Sequence, residues 1–115
     1  MHTLHFLVLL RFAKGEIIMA KLESKFQKEL MDEIRELYPG CVVIKNDSSY
    51  IQGFPDWTIL YNDKWAVLEA KRERKAKKQP NQEYYVEKLG RMSFSAFVYP
   101  ENKDDILSGL AKVFK

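Results

Sequence analysis

GFPDWTILYNDKWAVLEAK, residues 53–71, decides how this chain is read. Two runs rich in β-branched and aromatic residues, DWTILY and KWAVLEAK, flank Asn62-Asp63, which is the signature of a β-hairpin. With a two-residue loop, Tyr61 faces Lys64 and Asp56 faces Glu69. Side chains alternate along a strand, so Asp56, Glu69 and Lys71 share one face with Thr58, Leu60, Trp65 and Val67. Trp57, Ile59, Leu68 and Ala70 fall on the other. Both faces are apolar enough to be covered, which makes three charged residues at one end of the hairpin unusual. Directly opposed carboxylates stand roughly 4.5–5.5 Å apart at Cβ and repel each other. A hard divalent cation reverses the sign of that interaction, and oxygen-only donors select Mg²⁺ or Mn²⁺. The alternative is an ordinary hairpin whose charges are solvated.

The surrounding pattern is α/β. Leu22, Phe26, Leu30, Met31, Ile34 and Leu37 recur at helical spacing in AKLESKFQKELMDEIRELYPG, and Pro39-Gly40 stops the run. CVVIKND reads as a strand entering a polar turn at residues 46–49, and SYIQGFP as a loop. Beyond the hairpin, Pro80 is placed to open a helix over NQEYYVEKLGRM, with Tyr84, Leu89 and Val86 facing inward. FSAFVY is a further strand closed by Pro100. KDDILSGLAKVF places Ile106, Leu107, Leu110 and Phe114 on one helical face. The expected order is α-β-β-β-α-β-α, a mixed central sheet flanked by helices.

Size and composition agree with one domain. The 115 residues are 46% hydrophobic and 30% charged, with a net charge of +3, the balance of a folded chain with a single core. The basic residues are unevenly spread: KRERKAKK, residues 71–78, carries six of them against one acid. Such a run is either a solvated loop or a grip on a polyanion. The lone Cys41 has no disulfide partner and no zinc-ligand companion, so it reads as a small buried hydrophobe in a reducing, cytoplasmic setting. His2 and His5 lie near the N-terminus, which leaves carboxylates, lysine and tyrosine for any acid-base chemistry in the body of the domain.

The segment MHTLHFLVLLRFAKGEII lacks the basic flank and cleavage site of a signal peptide and is too short to span a bilayer. Lys14-Gly15-Glu16 can be encoded by AAGGAG, the core of a bacterial ribosome-binding site, with Met19 following at a suitable distance. Residues 1–18 are therefore expected to be a translated leader or disordered extension, with the domain proper at 19–115; an edge strand or docking segment is the alternative.

Pro55-Asp56, twelve intervening residues and then Glu69-Ala70-Lys71 resemble the motif of the PD-(D/E)XK nuclease superfamily. The element order resembles the αβββαβ restriction-endonuclease-like core, here with an added C-terminal helix. The likeness spans residues 19–115 and is greatest to the small VRR-NUC and Holliday-junction-resolvase-like branches of bacteria and phages. It implies hydrolysis of DNA phosphodiesters with Mg²⁺ or Mn²⁺ held by Asp56, Glu69, the Ala70 carbonyl and Glu23, an acid on the inward side of the first helix. Lys71 would orient the nucleophile or neutralise the transition state, and Gln82 would supply the glutamine that several branches carry after the ExK strand. Arg72, Arg74, Lys75, Lys77, Lys78 and Tyr85 would contact DNA. No base-reading element accompanies them, which favours branched, flapped or single-stranded DNA over a specific sequence. A homodimer is compatible with the resemblance, a membrane role is not expected, and the rival reading is a non-catalytic nucleic-acid-binding module on the same fold.

Overall fold

In the computed structural model the backbone is described for residues 2–115 and the side chains for residues 13–115. The hairpin forms in the predicted register. Strand β2 (Trp57–Tyr61) pairs antiparallel with β3 (Lys64–Ala70), with Tyr61 opposite Lys64 and Trp57 opposite Leu68. Asn62 takes a φ of 56° in the turn, a left-handed conformation that asparagine tolerates better than most residues. Strand β1 (Val42–Lys45) pairs antiparallel with the outer side of β2, and β4 (Phe94–Val98) lies parallel to β3. The sheet order is β1-β2-β3-β4.

Three helices complete the predicted sequence of elements: α1 (His2–Leu37), α2 (Gln82–Met92) and α3 (Lys103–Val113). α2 supplies the crossover that a parallel β3–β4 pair requires. The core lies on one face of the sheet, where Leu30, Met31 and Ile34 of α1 meet Ile59, Leu68, Ala70, Val98, Leu110 and Phe114. All are buried, and each large aliphatic side chain so enclosed contributes about 1.5–3 kcal/mol. Cys41 is half-buried and packs against this cluster.

Four expectations change. The first helix begins at His2, and residues 2–18 continue it rather than forming an edge strand. The segment contains no proline, and one interior glycine, Gly15, costs only about 1 kcal/mol. Its side of the helix from Ile17 to Leu22 stays exposed, as does Leu37, so the spacing that predicted an inward face holds only for the middle of the run. The second sheet face is covered over β3, where α2 packs, but Val42, Ile44 and Leu60 remain exposed above β1 and β2. Pro80 stands in a turn ahead of α2, whose N-cap is Asn81 at φ 70°, and Tyr84 points outward at 54% exposure. The inward side of α2 begins at Gln82.

Gly53 fixes the loop between β1 and β2. Its φ is +88°, and a Cβ there would lie 2.6 Å from both the carbonyl carbon and Cβ of Asn81 and 2.7 Å from the Pro80 oxygen. The loop therefore rests directly on the turn that leads into α2. Gly40 has the same φ but open space around it. Gly40→Ala should cost about 1 kcal/mol through backbone conformation alone, whereas Gly53→Ala should cost about 2–4 kcal/mol because the backbone contact must also open. Urea unfolding of the two variants measures the difference.

Candidate active site

β2 and β3 bring their charged ends together at the edge of the sheet. Asp56 directly precedes β2, and continuing the Trp57–Leu68 pairing sets it opposite Glu69. Its position is secured locally: the Asn46 backbone N–H donates to the Asp56 carbonyl at 2.7 Å, and the Asn46 side-chain amide donates to the Pro55 carbonyl and to Thr58 Oγ1, each at 2.8 Å. Pro55 is fully buried. Lys71 lies one residue past β3, where its backbone N–H donates to the Val98 carbonyl at 2.9 Å and prolongs the parallel pairing. Alternation then returns the Lys71 side chain to the face of Glu69.

An open cavity of about 380 Å³ is lined by Glu23, Asp56, Glu69, Lys71 and Gln82, together with the loop around Gly53 and Phe54. The five side chains that the sequence singles out as catalytic thus surround one space. Glu69 is 2% exposed, Lys71 6% and Gln82 7%, and they are the buried polar or charged residues among those described. Gln82 donates through Nε2 to Glu69 Oε1 at 3.1 Å and accepts the Gln79 backbone N–H through Oε1 at 2.8 Å. Its amide dipole is thereby fixed with the N–H end on the carboxylate.

Burial is the main reason that the Glu69 carboxyl is pushed up to about 7, and the charge of Asp56 adds to it. Lys71 and, less strongly, Lys45 oppose the rise, while Glu23 adds a small upward push. A buried carboxyl whose proton affinity is raised by burial and by a neighbouring carboxylate, in a partly enclosed oxygen-rich cavity, suits a hard cation. Among the described residues no three His, Cys, Asp or Glu side chains form a closed ligand set; the carboxylates that the hairpin sets opposite each other at the cavity are Asp56 and Glu69. Glu23 is half-buried at the rim. The Ala70 carbonyl does not line the cavity; it accepts a hydrogen bond from Gln27 Nε2 at 3.2 Å.

The expected nucleic-acid contacts are arranged differently. None of Arg72, Arg74, Lys75, Lys77 or Lys78 lines the cavity. Arg72 is half-buried beside Glu73 at 3.9 Å, with its Nε lacking a partner. Arg74 lies 6.0 Å above the Tyr99 ring, and Lys78 lies 4.7 Å above Phe97 and 3.5 Å from Glu83. Lys75 and Lys77 are exposed. Tyr85 is half-buried with its ring 5.8 Å from Phe54, so it packs the Gly53 loop against α2. Three residues absent from the sequence reading matter: Asn46, Gln27 and Lys45. Lys45 Nζ is 3.2 Å from Asp56 Oδ2 and 3.2 Å from Gln27 Oε1. Gln27 follows Glu23 by one helical turn, a signal available in the sequence; the other two depend on strand pairing.

No family model and no curated protein sequence matches the chain. Among solved structures, one described as "VRR_NUC domain" superposes with a TM-score of 0.61 at 21% identity, covering 76% of this chain and 95% of its own. The chain therefore shares the fold of that domain, in agreement with the expected α/β core. No helix among the described residues is long and apolar enough to cross a membrane.

Because Glu69 holds its proton more tightly folded than at the ordinary value near 4.5, its stabilising contribution is complete below about pH 4.5 and is lost as pH rises through about 7. In metal-free buffer, Glu69→Gln should therefore be more stable than the parent by about 1–3 kcal/mol at pH 8, with the gap closing towards pH 4.5. Chemical denaturation across that range in the presence of a chelator measures it.

Proposed function

We propose that the chain is a metal-dependent nuclease that hydrolyses DNA phosphodiester bonds. The observation that carries this reading is the burial of Glu69 and Lys71 beside Asp56 in one open cavity on a nuclease-type fold. A solvated surface hairpin has no reason to enclose these charges, since a buried charge is costly unless paired or coordinated. A binding module would need positive potential but not an acid pair facing it.

Asp56 and Glu69 would hold Mg²⁺ or Mn²⁺, with Glu23 contributing from the rim. When bound, such an ion supplies charge stabilisation at the phosphoryl group and a more acidic water. Gln82 holds Glu69 Oε1 and limits its rotation, so the carboxylate meets its ligand with little loss of side-chain freedom. Lys71 presents its ammonium to the cavity and would donate to the phosphoryl oxygen on which negative charge grows. Lys75 and Lys77, exposed at the mouth of the basic run, would contact the backbone phosphates and so bind without reading sequence. Branched, flapped or single-stranded DNA is the substrate class this favours, in a bacterial or phage-infected cytoplasm; a dimer could present two such sites to a junction.

The test is cleavage of linear, nicked, flapped and four-way DNA with Mg²⁺ and with Mn²⁺. Cleavage by the parent protein should be abolished in Asp56→Ala and reduced about 10²–10³-fold in Lys71→Met, with DNA binding retained in both. Binding of DNA without cleavage of any substrate would favour the module, and full activity in Asp56→Ala would refute the assignment.

A further inference from the structure

Lys45 occupies the back of the candidate site. It is the last residue of β1 and lies opposite Trp57, so its side chain leaves the sheet on the α1 side, whereas Glu69 and Lys71 face the cavity. Its ammonium stands 4.5 Å above the Trp57 ring and makes the two 3.2 Å contacts to Asp56 and Gln27. Gln27 in turn donates to the Ala70 carbonyl. One continuous series of contacts, Asp56 to Lys45 to Gln27 to Ala70, thus ties the acid before β2 to the residue that follows Glu69.

The other cations nearby do not pair with Asp56. Lys28 and Arg35 share the groove with Lys45, but both pair with Asp32, at 2.9 and 3.2 Å. Lys71 lies on the opposite side of Asp56, within the cavity, and among the described residues no carboxylate comes within ion-pair distance of it. The ion pair made by Asp56 is therefore with Lys45. The Asp56 side chain is 24% exposed and that of Lys45 51%, so solvent screens the pair from the lysine side and its worth stays near that of a surface bridge.

We propose that Lys45 is the internal counter-cation of this site, a positioning residue that holds Asp56 in place before a divalent ion arrives and competes with that ion for the same carboxylate. The proposal rests on the reading that Asp56 and Glu69 bind metal. Its physical basis is direct: a fixed positive charge 3.2 Å from a ligand oxygen stabilises the empty acid pair and opposes a second cation at that oxygen. The contact with Gln27 gives the ammonium a second anchor, so it can release Asp56 without losing every partner. The Trp57 face gives a third.

Isothermal titration of Mn²⁺ into the full chain, free of DNA, separates the possibilities. Lys45→Met keeps the aliphatic stem over Trp57 and removes the charge; it should bind Mn²⁺ about three- to tenfold more tightly than the parent. Its metal-free melting temperature should fall, so the rise produced by Mn²⁺ should be larger than in the parent. Lys45→Arg, which keeps the charge, should restore parental affinity. Equal or weaker Mn²⁺ binding by Lys45→Met overturns the inference while leaving the metal site standing. No Mn²⁺ uptake by the parent overturns the metal-site reading, and this inference with it. Circular dichroism verifies folding, and Lys45→Gln serves in the same titration if the methionine variant does not fold.

Discussion

A carboxylate enclosed beside another carboxylate is the constraint on which this structure turns. Glu69 is almost fully buried with Asp56 opposite it, and an acid so placed either takes up a proton or needs compensating positive charge. The surroundings supply that compensation in three ways. Lys71 provides a cation from the same strand face, Lys45 provides one through Asp56, and Gln82 provides a neutral donor at 3.1 Å. The compensation is incomplete, since the Glu69 carboxyl remains well above its usual value. A site left short of positive charge in this way is suited to a cation from solution.

The fold keeps the acids close against their repulsion. Hairpin register sets Asp56 against Glu69, Asn46 ties the Pro55-Asp56 backbone to β1, and the parallel β3–β4 pairing continues through Lys71. Gly53 lets the intervening loop lie against the turn before α2, and the Phe54–Tyr85 contact closes the same seam. Gln82 follows from that turn, so the loop, the hairpin and α2 are positioned by one another. The apolar cluster under α1 and α3 anchors the sheet that carries them all.

Much of this was legible in the sequence because the relevant information is local. Strand alternation and a two-residue turn are enough to pair Asp56 with Glu69, and the element order follows from periodicity and breakers. The convergence of Glu23 and Gln82 on the same cavity came from the family resemblance, since neither distance along the chain nor residue type predicts it. What escaped is non-local. Lys45 and Asn46 acquire their roles from the β1–β2 register, which the sequence leaves open because the connecting loop is long. Tyr84, expected to face inward, is exposed, and Tyr85, expected to contact DNA, is half-buried against Phe54. The basic run reads as a unit by composition, yet its members diverge: Arg72 is half-buried, Arg74 and Lys78 lie over aromatic rings, and Lys75 and Lys77 remain exposed.

The central claim, that the enclosed acid pair exists to hold a hard cation, is tested most directly by anomalous diffraction from crystals of the full chain grown with Mn²⁺. The account predicts an anomalous peak within about 2–2.3 Å of oxygens from both Asp56 and Glu69, with water completing the shell. A well-ordered site with no peak there, or a peak bound only by surface carboxylates elsewhere, would contradict it.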